Sequence, residues 1–157
     1  MSSIRRGIRI GVDVGKARVG VARSDPDALL AVPVETVPRS ARSIARIVEI
    51  VGEYEALEVL VGLPTNLAGA DTPSTRDARE FAAGLAAASA VPVRLVDERL
   101  STVTAHQALR SSGRSQRGSR SIVDQVAAVV LLQQALDVER QTGNPAGTPV
   151  NPGQEST

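Results

Sequence analysis

Ile8, Ile10, Val12 and Val14 alternate with Arg9, Gly11 and Asp13, a period of two that predicts a strand with Asp13 near its end. Lys16 and Ala17 follow Gly15 as a tight connection, and Arg18-Val-Gly-Val-Ala-Arg23 predicts the return strand of a hairpin. Ala31 to Val37 predicts a third strand, and Pro33, with no amide hydrogen to share, places it at a sheet edge. From Ser40 the period changes. Ile44, Ile47, Val48 and Val51 fall at helical spacing, with Ser40 as the expected N-cap.

Glu58-Val-Leu-Val-Gly62 is a continuous apolar run, the pattern of a strand buried on both faces. A turn-rich loop, Leu63 to Gly69, follows it. A second helix is expected from about 74 to 88, with Ala78, Phe81, Ala82 and Leu85 inward. Val91 to Val96 predicts another buried strand that delivers Asp97, Glu98 and Arg99 at its carboxyl end. Ser101 or Thr102 then caps a short helix to about Leu109, and 111–120 (SSGRSQRGSR) shows no periodicity. The last helix, about 121–138, is apolar around most of its circumference and is expected to be buried. The order β-β-β-α-β-α-β-α-α implies an α/β fold: a mixed five-stranded sheet, an antiparallel hairpin meander plus parallel strands, with helices on both faces. One domain over 1–139 accounts for these elements, and the Gly/Pro/polar stretch 140–157 reads as a disordered tail.

Composition removes several chemistries. There is no cysteine, hence no thiol nucleophile and no Cys-ligated metal, and His106 is the single histidine. No apolar run approaches the roughly 18 residues of a membrane span, and MSSIRRGIRI lacks the apolar core of a signal peptide. A soluble, cytoplasmic protein without membrane contact is expected. The net charge of +1 conceals a segregation: residues 1–24 carry +5, 25–98 carry −6 and 99–124 carry +4. All but Lys16 of the 18 basic residues are Arg, whose planar fork of donors suits phosphate. If the two basic segments meet, they form an anion-facing surface. With Tyr54 and Phe81 as the only aromatic residues, recognition of nucleic acid would rest on backbone and shape, not base stacking.

In open α/β sheets, ligands gather at the carboxyl ends of the parallel strands. Asp13, the 63–69 loop and Glu98 reach that edge, and Asp124 opens the last helix beside it. Carboxylates crowded together repel unless a cation joins them, and an oxygen-only set suits Mg²⁺ or Mn²⁺. Such ions serve phosphodiester hydrolysis. Each residue alone has a plainer reading: Asp13 as a turn residue, Glu98 as half of an ion pair with Arg99, Asp124 as a complement to the helix dipole. Asn66 reads equally as a turn former, and His106 as a structural or solvated residue. Gly15 and Gly20 have the spacing of a phosphate loop, but Val-Ala follows where Lys-Ser/Thr is required.

Five segments, in order, resemble one family: GVDVGKARVGVARSD (11–25), VLVGLPTNLAG (59–69), TRDAREFAAGL (75–85), VDERLSTVTA (96–105) and VDQVAAVVLLQQAL (123–136). They are similar to the YqgF family, the RuvX-type Holliday-junction resolvases also described as pre-16S ribosomal RNA nucleases. The resemblance spans about residues 8–138 and implies a ribonuclease H-like fold, with the acidic triad on Asp13, Glu98 and Asp124. It implies a metal-dependent nuclease acting on the 5′ end of precursor 16S rRNA in ribosome biogenesis, with ribosomal particles as possible partners. Lys16, Arg18, Asn66, Arg76 and Arg99 are the candidates for positioning phosphates. Two other readings stand beside it: resolution of four-way DNA junctions, and RNA binding without catalysis. Whether the protein is a monomer or a homodimer is not legible in the chain.

Overall fold

Two sets of apolar residues on opposite sides of one sheet organise the protein. The computed structural model describes residues 4–64, 70–97 and 116–151, with side chains in the last helix from Gln125 onward. Its elements are β1 (Arg9–Val14), β2 (Arg18–Ser24), β3 (Ala31–Pro38), α1 (Ser43–Glu53), β4 (Glu58–Leu63), α2 (Pro73–Ala88), β5 (Val93–Asp97), α3 (Gln116–Thr142) and β6 (Thr148–Pro149). Among the described residues the sheet has the order β3-β2-β1-β4-β5-β6. β1, β4 and β5 are parallel, and β2, β3 and β6 attach antiparallel to their inner neighbours. This is the expected mixed sheet with β3 at an edge, plus one more strand than the sequence pattern indicated.

On one face, Ile10, Val12, Val19, Val21, Val59 and Val61 pack against Ile47 and Ile50 of α1 and Phe81, Ala82 and Leu85 of α2. On the other, Ala22 and Leu60 pack against Ala128, Leu132, Ala135 and Leu136 of α3. Strand alternation therefore turns Arg9, Gly11 and Asp13 of β1 toward α3, not toward solvent. Gly11 is what lets the helix settle there: a Cβ on it would lie 2.9 Å from Leu132 Cβ and 3.1 Å from the Ala128 carbonyl oxygen. Gly11→Ala forces α3 off the sheet and should lower unfolding free energy by about 1–3 kcal/mol, read as a lower urea midpoint.

Three sequence expectations change. α1 starts at Ser43 with Arg42, not Ser40, at the N-cap. Ser40 instead bonds within the turn, its hydroxyl accepting from the Arg42 amide at 3.1 Å, while Ser43 Oγ donates to the Pro38 carbonyl at 2.8 Å. α3 begins at Gln116, so 116–120 continue a helix that was expected to start near 121. The segment after 140 is not a structureless tail as far as residue 151. α3 runs to Thr142, and β6 pairs with β5 through Leu95 and Thr148. Arg94 fastens it, Nε donating to the Ala146 carbonyl and Nη2 to the Gly147 carbonyl, both at 2.8 Å. A β5 edge left open would expose unpaired amides, and this strap covers it. The expected helix at 101–109 and the rest of the 111–120 segment lie outside the described residues.

Candidate active site

Asp13 is the fifth residue of β1, half-buried on the face that α3 covers. In register, Asp13 stands opposite Gly20 on β2, and Gly20 opposite Thr36 on β3. The β1–β4 pairing ends at Val12 opposite Val61. One step further along β4, Gly62 stands opposite Val96 on β5. Asp13 is thus level with two glycines in the middle of a cross-sheet row that reaches Val96, the penultimate residue of β5. Two strand spacings, about 10 Å, separate β1 from β5 along that row.

α3 crosses the same row. Glu139 meets Arg9 at the start of β1, Ala128 and Leu132 lie over Gly11, and Gln125 Nε2 donates to Thr36 Oγ1 at 2.7 Å. The helix therefore runs antiparallel to β1. From Ala128 back to position 124 is one turn, about 6 Å. From Gly11 to Asp13 is two strand residues, about 7 Å in the same direction. Sequence positions 13 and 124, 111 residues apart, come to the same level of the sheet by this count. β5 ends at Asp97, which is exposed, and Glu98 follows it directly. Glu98 and the Asp124 side chain lie outside the described residues, as do Asn66 and Arg99. Among the described residues no three His, Cys, Asp or Glu side chains form a metal-binding group. Asp13 supplies a half-buried carboxylate on the central strand, the donor type that a hard cation takes.

The turn after β1 is tight. The Gly15 amide donates to the Arg18 carbonyl at 2.8 Å, and a Cβ on Gly15 would lie 2.6 Å from that same oxygen. Lys16 is exposed at its tip, and Arg18, half-buried, opens β2. Arg39, just past β3, joins this turn to α2. Its guanidinium makes a two-pronged bond to Asp77, at 2.9 and 2.8 Å, and lies 5.0 Å from the Phe81 ring centre. The Arg39 hydrogen bonds hold the Asp77 carboxyl below the usual carboxylate range against the opposing effect of burial, and Asp77 in turn raises Arg39. Arg76, one residue before Asp77, is exposed in the first turns of α2. A reciprocal Thr72–Thr75 capping box starts that helix, and the buried Thr75 hydroxyl also donates to the Pro64 carbonyl at the end of β4.

Several amino-terminal bases are already paired, while the side chains of the second basic segment, 99–124, lie outside the described residues. Arg5 and Arg9 lie at the opposite end of β1, consumed by Glu58 and Glu139. Arg6 pairs with Asp27, and Arg23 lies over Tyr54. Lys16 and Arg18 lie where β1 turns into β2, at the Asp13 end of β1. Arg39 and Asp77 carried no assignment in the sequence. Asp77 stands inside the TRDAREFAAGL segment, which was the available signal, while nothing around Arg39 distinguishes it.

A family profile described as "RuvX: Holliday junction resolvase" matches residues 7–138. The chain belongs to the RuvX family. RuvX relatives named "Putative pre-16S rRNA nuclease" include one from Clavibacter sepedonicus, 56% identical over 147 residues, covering 92% of this chain and 91% of the relative. Another, from Streptomyces coelicolor, is 54% identical over 147 residues and covers 92% and 88%. Among solved structures, Thermus thermophilus RuvC in complex with a Holliday junction substrate superposes with a TM-score of 0.58 at 16% identity, covering 91% of this chain and 99% of that one. The fold of this RuvX chain is accordingly ribonuclease H-like. No described helix is long and apolar enough to cross a membrane.

Proposed function

We propose that this RuvX chain is a metal-dependent endonuclease that hydrolyses phosphodiester bonds in structured RNA and processes the 5′ end of precursor 16S rRNA. The observation that carries the reading is the Thr36–Gly20–Asp13 row beneath the third turn of α3, where Gln125 meets Thr36. It supports Asp13, Glu98 and Asp124 as one acidic site, joined from β1, the end of β5 and α3. The name shared by relatives at 52–56% identity supports the substrate. Asp13, Glu98 and Asp124 would hold Mg²⁺ or Mn²⁺, which supplies charge neutralisation and Lewis acidity to phosphodiester hydrolysis.

The protein's own residues do the rest. Asp13 is half-buried on the sheet face that α3 covers, which limits bulk water on one side and would strengthen electrostatic contacts to the scissile phosphate. Lys16 and Arg18 on the β1–β2 turn, Arg76 on α2, and Asn66 and Arg99 in the segments after β4 and β5 bind neighbouring phosphates and fix the register of the strand. Arg serves as a two-pronged partner and Lys16 as a point charge.

A second reading, four-way DNA junctions, draws on the family description and on the RuvC–junction complex. Junction resolution requires two symmetric cuts and therefore a two-fold dimer. Purified protein is incubated with a precursor 16S 5′-end transcript and with a four-way DNA junction, each with Mg²⁺ or with EDTA. Cutting of the transcript in Mg²⁺ alone is the expected outcome. Paired cuts in the junction with the transcript intact would favour the second reading, and binding of RNA without cutting would leave a ribosome-assembly factor that needs no catalysis.

A further inference from the structure

Lys16 is the exposed cation nearest Asp13 in sequence, and its neighbours on either side are held by one residue. Arg39 Nη1 donates to the Gly15 carbonyl at 2.9 Å, and the Arg39 backbone amide donates to the Ala17 carbonyl, also at 2.9 Å. The same guanidinium is anchored by both carboxylate oxygens of Asp77 and by the face of Phe81. A planar fork with five donors can meet a carboxylate along one side and a carbonyl from the other, which a lysine or glutamine cannot do. The long, rotamer-rich Lys16 side chain would otherwise sit on a turn free to shift, and preorganisation reduces the ordering cost of binding.

From this arrangement we infer that Arg39 is a positioning residue for phosphate binding. Clamped by Asp77, it fixes the Gly15–Ala17 turn at the carboxyl end of β1 so that Lys16 is held ready for the phosphate backbone. Arg39 itself touches no substrate, since Asp77, Phe81 and Gly15 occupy its fork. The inference rests on the nucleic-acid reading above and names a residue that works through another. It also explains why an ion pair at a partly exposed site is built with two-pronged geometry: its yield is the placement of a neighbour, not stability, for which surface pairs contribute little.

Binding distinguishes this clamp from an ordinary structural contact. The probe is a fluorescent RNA hairpin in EDTA, titrated by anisotropy over a series of salt concentrations with wild type, Lys16→Ala, Arg39→Gln, the double variant and Arg42→Gln. Arg42 is exposed three residues away and controls for loss of one positive charge. Lys16→Ala should weaken binding and reduce the slope of log K against log salt by about one counterion. Arg39→Gln should produce the same loss of slope, the double variant should be no weaker than Lys16→Ala alone, and Arg42→Gln should leave the slope at its wild-type value. Additive losses in the double variant, an Arg39→Gln slope like that of wild type, or an unaltered Lys16→Ala would each overturn the clamp. The cleavage assay fails separately: a protein that binds through Lys16 and Arg39 yet never cuts removes the nuclease reading and keeps this one.

Discussion

Asp13→Asn should reduce single-turnover cleavage of the precursor transcript by about a thousandfold, which corresponds to about 4 kcal/mol of lost transition-state stabilisation. Asparagine keeps the shape and hydrogen-bonding reach of aspartate and removes its charge. Because Asp13 is half-buried between Gly20 and Gly62 in its row, no neighbouring side chain on those strands has to repack. The melting temperature should therefore stay close to that of wild type while activity falls, which separates charge from fold. Glu98→Gln and Asp124→Asn should behave alike, with RNA affinity in EDTA retained. Equal cutting by Asp13→Asn and wild type would remove the acidic row from the chemistry. Loss of cutting together with loss of affinity would point to a role in binding instead.

The central part of this fold was legible because burial patterns are. A continuous run at 58–62 identified β4 as covered on both faces, and Pro33 identified the edge strand; both follow from local chemistry. Asp13 could be placed at a strand end for the same reason, since a period of two fixes residue numbers along the strand. What periodicity could not supply was which long-range charges meet. Arg5 and Arg9 looked like part of an anion-facing surface, yet they are neutralised by Glu58 and Glu139, 49 to 134 residues away in the chain. β6 escaped notice because two residues, one of them Pro149, directly after Gly147 have no pattern of their own, and its pairing is dictated by Arg94 and the open edge of β5. Arg39 escaped because its function depends on a turn and a helix that lie on either side of it in sequence.

The second large effect is expected far from the acidic row. Glu139→Gln should lower unfolding free energy by about 3–5 kcal/mol, the usual cost of removing one partner from a buried ion pair, and the melting temperature by roughly 10 °C in a chain of this size. Arg9, Glu58 and Glu139 are buried at the base of β1. Glu139 Oε2 accepts from Arg9 Nη2, Arg5 Nε and the Arg5 amide, each at 3.0 Å, and Oε1 accepts from Arg5 Nη2 at 2.8 Å. The substitution leaves the Arg9 guanidinium in a dry site with only Glu58, 3.9 Å away, as a charged partner. Burial opposes ionisation of Glu139, but the Arg5 hydrogen bonds and the fields of Arg9 and Arg5 outweigh it, holding the carboxyl down to about 2. A depressed folded value fixes the sign: this stabilisation is complete above the ordinary carboxylate value of 4.5 and disappears as pH falls through about 2. Urea unfolding of wild type and Glu139→Gln should thus differ most near neutral pH and converge across that window. Replacing Arg9 and Glu139 together by methionine should cost less than Glu139→Met alone, because no buried charge is then left unpaired. A gap between the curves that stays constant down to pH 2 would mean that Glu139 acts by packing and that its charge contributes nothing.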